Sequence, residues 1–171
     1  VFKIDNISNS PSRFDLDQLA FWQKKVIESE STESLLSWLR EDLREVLPAE
    51  VDHNGFVDLI RENIVFPKDA VDYAKNLFVH SLSSNKEVSA IIKGSGSNFF
   101  DIARESVQEH WGDWSKIMKD IGEKSGNKGK ELFMPIRAAI TGQLSGPELD
   151  QVTKFLDIER VDRRLEEASQ L

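Results

Sequence analysis

No cysteine occurs among the 171 residues. That excludes a disulfide scaffold, a thiolate-ligated metal and a cysteine nucleophile. Histidine is nearly as scarce. His53, His80 and His110 stand far apart, with none three or four residues from another, which is poor support for zinc and its three or four converging ligands. Long apolar runs are missing, so no segment is expected to span a bilayer. The first residues, Val1-Phe2-Lys3-Ile4-Asp5, have neither an initiator Met nor the charged-then-apolar layout of a secretory signal. The expectation is a piece of a longer, cytosolic protein. Basic charge is also short: 22 Lys and Arg against 30 Asp and Glu leave a net charge of −8, which argues against a general polyanion binder.

Catalytic signatures are missing too. Gly94-Ser95-Gly96 lacks a preceding strand and a Gly-Lys-Ser/Thr ending, so it reads as a linker and not a phosphate loop. No Gly-x-Ser-x-Gly elbow is present to expose a nucleophilic serine. Asp15 and Asp17 sit at a helix start, where capping explains them better than metal binding. Nothing in the sequence looks like an active site.

What the sequence does contain is helical periodicity. Leu16, Leu19, Ala20, Trp22, Val26 and Ile27 recur at i, i+3, i+4 and i+7. A second stripe, Leu35, Leu36, Trp38, Leu39 and Leu43, follows a Ser31 or Thr32 cap and stops before Pro48. A third helix is expected over about 51–64 and a fourth from Pro67, striped by Ala70, Val71, Tyr73, Ala74, Leu77 and Phe78. Six more are expected near 86–93, 98–111, 113–124, 132–142, 147–156 and 158–169. No alternating run of strand length stands out. The expected fold is all-α, with two consecutive small helical domains (a bundle or superhelix) at 1–82 and 83–171. The polar stretch Ser81–Asn85 divides them, at a change in charge: residues 1–85 carry 9 basic and 15 acidic groups, residues 86–171 carry 13 and 15. Trp22 and Trp38 fall on apolar stripes and read as core. Trp111 and Trp114 flank a helix break, where core packing is the favoured reading and base stacking the open one.

The stretch from Lys128 to Leu149 is the most informative. It runs Lys-Gly-Lys-Glu-Leu-Phe-Met-Pro-Ile-Arg-Ala-Ala-Ile-Thr-Gly-Gln-Leu-Ser-Gly-Pro-Glu-Leu. Pro135 can start a helix and place Arg137 in its first turn, where backbone N–H groups and a guanidinium could face one acceptor-rich ligand. Gly142 ends that helix and Gly146-Pro147 begins another. A packed corner whose arginine merely snorkels fits the composition equally well. Around it, Lys116, Lys119, Lys124, Lys128, Lys130 and Arg137 meet only Asp120, Glu123 and Glu131, a local excess that also suits a solvated face.

This stretch resembles the end of bacterial glutamyl-tRNA synthetases, a class I family. Its members close with Lys-Gly-x-x-Leu-Phe-x-Pro-Leu/Ile-Arg-x-Ala-Leu/Ile-Thr-Gly, then Gly/Thr-Pro-x-Leu, then an Arg-Leu pair that Arg164-Leu165 fits. Less specific likenesses lie in Arg13–Leu19, where Gln18 replaces the usual Lys, and in Leu59–Phe78. The family's His-x-Gly-His and Lys-x-Ser-Lys motifs do not occur in this sequence. The resemblance therefore implies a C-terminal, anticodon-binding fragment, inactive alone and without a cofactor of its own. The full-length glutamate–tRNA ligase would use ATP and Mg. The implied partner is tRNA, not DNA and not a membrane.

The resemblance places Arg137, Gly146, Pro147 and Leu149 against the second and third anticodon bases, with Pro147 and Leu149 as an apolar slot. It aligns Asn63 with an arginine that reads the third base in glutamate-restricted members, with Arg61 as the alternative reader. Asparagine lacks that arginine's reach, so acceptance of glutamine tRNA besides glutamate tRNA, or a preference for it, is expected. Lys128 and Lys130 are expected, from charge alone, to attract the RNA backbone. The rival expectation is a helical protein–protein interaction module with no RNA role.

Overall fold

The computed structural model describes residues 15–171. Arg13 and Phe14 of the resemblance, and the start of the expected 1–82 domain, lie outside the described residues. Ten α-helices follow one another: α1 (Leu16–Ser29), α2 (Thr32–Leu43), α3 (His53–Ile60), α4 (Pro67–Phe78), α5 (Lys86–Ser95), α6 (Ser97–His110), α7 (Trp114–Ser125), α8 (Lys130–Thr141), α9 (Leu149–Val152) and α10 (Ile158–Ser169). Among the described residues there is no strand, and the all-α expectation holds.

The helix starts follow from local chemistry. Side chains of Asp15, Ser31, Asp52, Asn85, Asp113 and Asp157 each accept a backbone N–H of the first turn they precede, and such caps contribute about 1 kcal/mol each. Pro67 opens α4, where its missing N–H has no cost. The expected third helix is shorter than 51–64, ending at Ile60 and passing into a 3₁₀ turn, Arg61–Asn63. The expected 147–156 helix is likewise only the single turn α9 followed by 3₁₀ residues Thr153–Phe155.

Pro135 does not start a helix. It lies inside α8, which begins five residues earlier at Lys130. A proline there leaves the Glu131 carbonyl without its i+4 donor, and the Asn127 carboxamide approaches that oxygen at 3.5 Å. Arg137 is consequently two turns into the helix, away from the free N–H groups of its first turn.

One contiguous core runs through both halves, from Leu39, Phe56 and Ile60 to Phe100, Ile121, Ile140 and Leu165. α2 packs on α3 and α4; α6 packs on α7 and α10; α8 touches α4, α5, α7 and α10. The stretch 81–85 contains a 3₁₀ turn, Leu82–Ser84, whose Leu82 is buried and donates its N–H to Glu167 at 2.7 Å. The arginines of α10 meet the end of α4. Buried Arg164 donates to the Asn76 carbonyl, and Arg160 donates to the Phe78 carbonyl at 3.4 Å while lying 5.2 Å from that residue's ring. Cations there complement the negative end of the α4 dipole. Burial pulls the Arg164 guanidinium below the usual arginine range.

Two tryptophans differ from expectation. Trp22 is 59 % exposed and Trp38 39 %. On α1 only Ile27 is buried, so an apolar stripe fixed the helix type there without fixing what it packs on.

Candidate functional site

Arg137 projects from α8 toward the loop that joins α8 to α9. Its Nη1 donates to the Pro147 carbonyl at 2.9 Å. A guanidinium carries five N–H donors, and its others have no hydrogen-bond partner among the described residues. The loop is held in shape from within. Gly142 caps α8 in the left-handed conformation, its N–H donating to the Ala138 carbonyl at 3.0 Å. The buried Thr141 hydroxyl donates to the Arg137 carbonyl at 2.7 Å and accepts the Gln143 N–H at 3.1 Å.

Gly146 has φ +136°, and a Cβ there would lie 2.8 Å from the Tyr73 hydroxyl. Only glycine allows this approach. Tyr73 therefore joins the site from α4, a residue the sequence reading assigned simply to the apolar stripe. Burial pushes its hydroxyl above the ordinary phenol range, while the nearby Arg137 charge pulls the other way and Asp69 adds to the rise. The hydroxyl stays protonated and can both donate and accept.

Tyr73, Gln143 and Ser145 are shared by two adjoining spaces. One is a tight crevice with Arg137, Pro147 and Leu59; the other is an open cleft of about 380 Å³ that includes Asn63 and Asp72. The structure thus brings Asn63 and the Arg137 corner, 74 positions apart, to two spaces that share one tyrosine. Asn63 is exposed.

Arg61 is differently placed. Its guanidinium donates to the Glu30 carbonyl at 2.6 Å, Thr32 Oγ1 at 3.0 Å and Asp58 Oδ1 at 2.6 Å. It ties the α1–α2 joint to α3 and does not line the Asn63 cleft. Leu149 departs from the expected open slot: it is buried in the core, leaving half-buried Pro147 as that corner's apolar surface.

The basic excess also resolves. Lys116 pairs with Asp113, Lys119 with Glu123, and Lys124 with Asp120. Lys128, Lys130 and Arg137 have no ion pair among the described residues. Lys128 and Lys130 are exposed at the start of α8. Lys130 precedes Arg137 by two turns on one helix face, about 10 Å along the axis. Glu109, His110 and Asp120 place one ligand atom each within 4.8 Å of one another. The Lys124 ammonium already engages that group, at 2.6 Å from Asp120 and 3.4 Å from Glu109. Hydrogen bonds from Lys124 and then Ser106 hold the Asp120 carboxyl below the usual range.

Fold and candidate site together describe an all-helical domain in which an arginine with free donors, a tyrosine and a corner that only glycine can form adjoin an amide-bearing cleft. Residues 30–169 match the sequence profile of the anticodon binding domain. The chain is 37 % identical over 166 residues to glutamate–tRNA ligase 1 of Methylococcus capsulatus, covering 97 % of this chain and 35 % of that protein. It is also 37 % identical over 165 residues to glutamate–tRNA ligase 1 of Halorhodospira halophila, covering 96 % and 34 %. The crystal structure of glutamate–tRNA synthetase from Elizabethkingia anophelis superposes with TM-score 0.76 at 18 % identity, over 99 % of this chain and 34 % of that one; this likeness carries the fold. The chain spans about a third of the length of the curated relatives it matches. It belongs to the anticodon-binding domain family.

Proposed function

We propose that this chain is the anticodon-recognising part of a glutamate–tRNA ligase. Attachment of glutamate to tRNA, with ATP and Mg, would be the work of the rest of a cytoplasmic enzyme. This chain carries neither nucleotide-binding motif of the family. In this reading residues 83–171 carry the anticodon site, and residues 1–82 form the helical domain preceding it and contribute Asn63.

The observation that supports the reading best is Arg137. It has donors to spare beside the Gly146-Pro147 corner, next to Tyr73 and in continuity with the Asn63 cleft. Single-stranded bases are read by splaying, stacking and hydrogen bonding along their edges. Arg137 supplies edge or phosphate donors, Gly146 and Pro147 supply shape, and Lys128 and Lys130 attract the backbone. The net charge of −8 is compatible with this, because only one surface meets RNA.

Titration with an anticodon stem–loop and with a scrambled hairpin, at two salt concentrations, tests the reading. Preferential, salt-sensitive binding is expected, weakened by Arg137→Ala by about 1–3 kcal/mol. Indifference to RNA would favour the helical protein-interaction module instead.

Asn63 carries a finer reading. Its exposed amide can pair with more than one base and lacks an arginine's fork. The full-length enzyme is therefore expected to accept glutamine tRNA as well as glutamate tRNA. A charging preference for glutamate tRNA of a thousandfold or more, about 4 kcal/mol, would rule that out.

A further inference from the structure

A second aromatic feature lies outside the Arg137 corner. Trp111 and Trp114 flank the break between α6 and α7, where Gly112 turns the chain at φ +91°. Trp114 rests against the core, whereas Trp111 is 38 % exposed. Both line a cleft of about 510 Å³ whose rim carries Asp113, Asp150 and Lys154. Asp113 is fixed in place by the Lys116 N–H at 3.1 Å and the Lys116 ammonium at 2.9 Å. Asp150 and Lys154 are positioned by opposite ends of the Gln151 amide, at 2.8 and 2.7 Å. Exposed Gly112 lines the same cleft, with nothing within 4 Å of where a Cβ would stand.

The cleft's location gives it meaning. Its far wall is α9 and the turn after it. Val152 of α9 lines the Arg137 and Pro147 crevice, while Asp150 lines the tryptophan cleft. A single helical turn, about 6 Å long, therefore separates the two. The two spaces thus lie on either side of one short helix, Val152 reaching the crevice from the core and Asp150 facing the cleft from the exposed side.

We propose that the cleft binds one unpaired nucleobase of the same RNA, stacked on the Trp111 indole, with a preference for bases that carry an exocyclic amine. This rests on the anticodon-recognition reading above. An indole face accepts any base; carboxylates at the rim, as on Asp113 and Asp150, accept hydrogen bonds from an amine such as that of cytosine. Uracil offers no amine. Lys154 supplies the one cation of the rim, placed to meet the adjoining phosphate.

The test uses the 171-residue chain and anticodon stem–loops in which each loop nucleotide outside the anticodon is made abasic in turn. Trp111→Ala is expected to weaken binding roughly tenfold to hundredfold, and Trp111→Phe to restore most of the loss. One abasic position should weaken the unchanged chain by a like factor and add nothing to Trp111→Ala. Replacing that nucleotide with uridine should weaken binding more than any other base does. If Arg137→Ala weakens binding and Trp111→Ala does not, the cleft is no RNA site, although the anticodon reading stands. If the unchanged chain prefers no stem–loop over a scrambled hairpin, the anticodon reading falls and takes this proposal with it. Should Trp111→Ala fail to fold by circular dichroism, 6-thioguanosine, a photoreactive base that keeps an exocyclic amine, placed along the loop decides with the unchanged chain. Crosslinks to residues 111–114 or 150–154 support the site, and crosslinks confined elsewhere overturn it.

Discussion

Arg61 and Arg137 make an instructive pair. Both sit near helix ends in segments that resemble one family, and both are partly buried. Arg61 reaches three acceptors of its own chain, two of them at 2.6 Å. Arg137 reaches one, a carbonyl of the loop it helps to shape. A guanidinium that has satisfied its fork inside the protein stabilises the fold; one that keeps donors in hand is available to a ligand. The residue type does not distinguish the two, and the partners do.

The largest effect expected from probing this contrast lies at the corner Arg137 faces. Gly146→Ala puts a side chain in a sparsely allowed conformation and against Tyr73, and should destabilise the chain by about 2–3 kcal/mol. Urea unfolding measures this. Combining it with Tyr73→Phe should recover part of the loss by removing the 2.8 Å contact; no recovery would mean that backbone strain alone sets the cost.

Next in size is the exchange between the arginines. Arg61→Met should lower stability by about 2 kcal/mol and leave stem–loop affinity unchanged. Its three bonds lie at a partly solvated site, where each keeps only a fraction of the roughly 1.5–3 kcal/mol of a buried charged bond. Arg137→Met should lower affinity while shifting unfolding by about 1 kcal/mol or less. If both variants fail in the same assay, the contrast collapses.

A smaller effect comes from acid. Arg104 on α6 grips Asp162 on α10 with two bonds, at 3.1 and 2.9 Å, and lies 3.5 Å from Glu166. The hydrogen bond from Arg104 holds the Asp162 carboxyl below its usual range, opposed in part by burial and aided to a lesser degree by a hydrogen bond from Gln108. The depressed folded value means that the stabilisation is present above about pH 4 and fades as pH falls through the folded value. Thermal melts between pH 7 and pH 2 should show about 1 kcal/mol of acid lability that Asp162→Asn abolishes. The smallest effect concerns Lys128 and Lys130. Replacing either with Ala should flatten the dependence of log affinity on log salt by about 0.7, with no change in melting.

Much of the fold was legible because apolar spacing and capping residues act over a few positions. Asp15, Ser31, Asn85 and Asp157 cap where they stand. What stayed hidden depends on remote partners. Pro135 looked like a helix start because its missing N–H is harmless there, yet α8 runs through it from Lys130, with the Asn127 carboxamide 3.5 Å from the freed Glu131 carbonyl. Trp22 shares a stripe with buried Ile27 but faces outward. In the site, Arg137, Gly146 and Pro147 were legible as a corner because they are close in sequence. Tyr73 was not, since an aromatic at helical spacing signals only an apolar face; the one available hint was that it is the chain's single tyrosine. Leu149, placed in the slot by the resemblance, is buried in the core, because a shared motif position does not say which way a side chain on a short turn faces.

The arginines of α10 that close on the end of α4 set an order of assembly. Arg164 meets a carbonyl 88 residues earlier, Glu167 an N–H 85 residues earlier, and Arg160 a carbonyl 82 residues earlier. Contacts between distant segments carry a loop-closure cost that neighbouring helices do not. Hairpins such as α6–α7 form on local contacts alone, whereas this clasp needs both halves already in place. Refolding should therefore show the end of α4 and the Leu82 turn gaining hydrogen-exchange protection last, at the rate at which α10 docks.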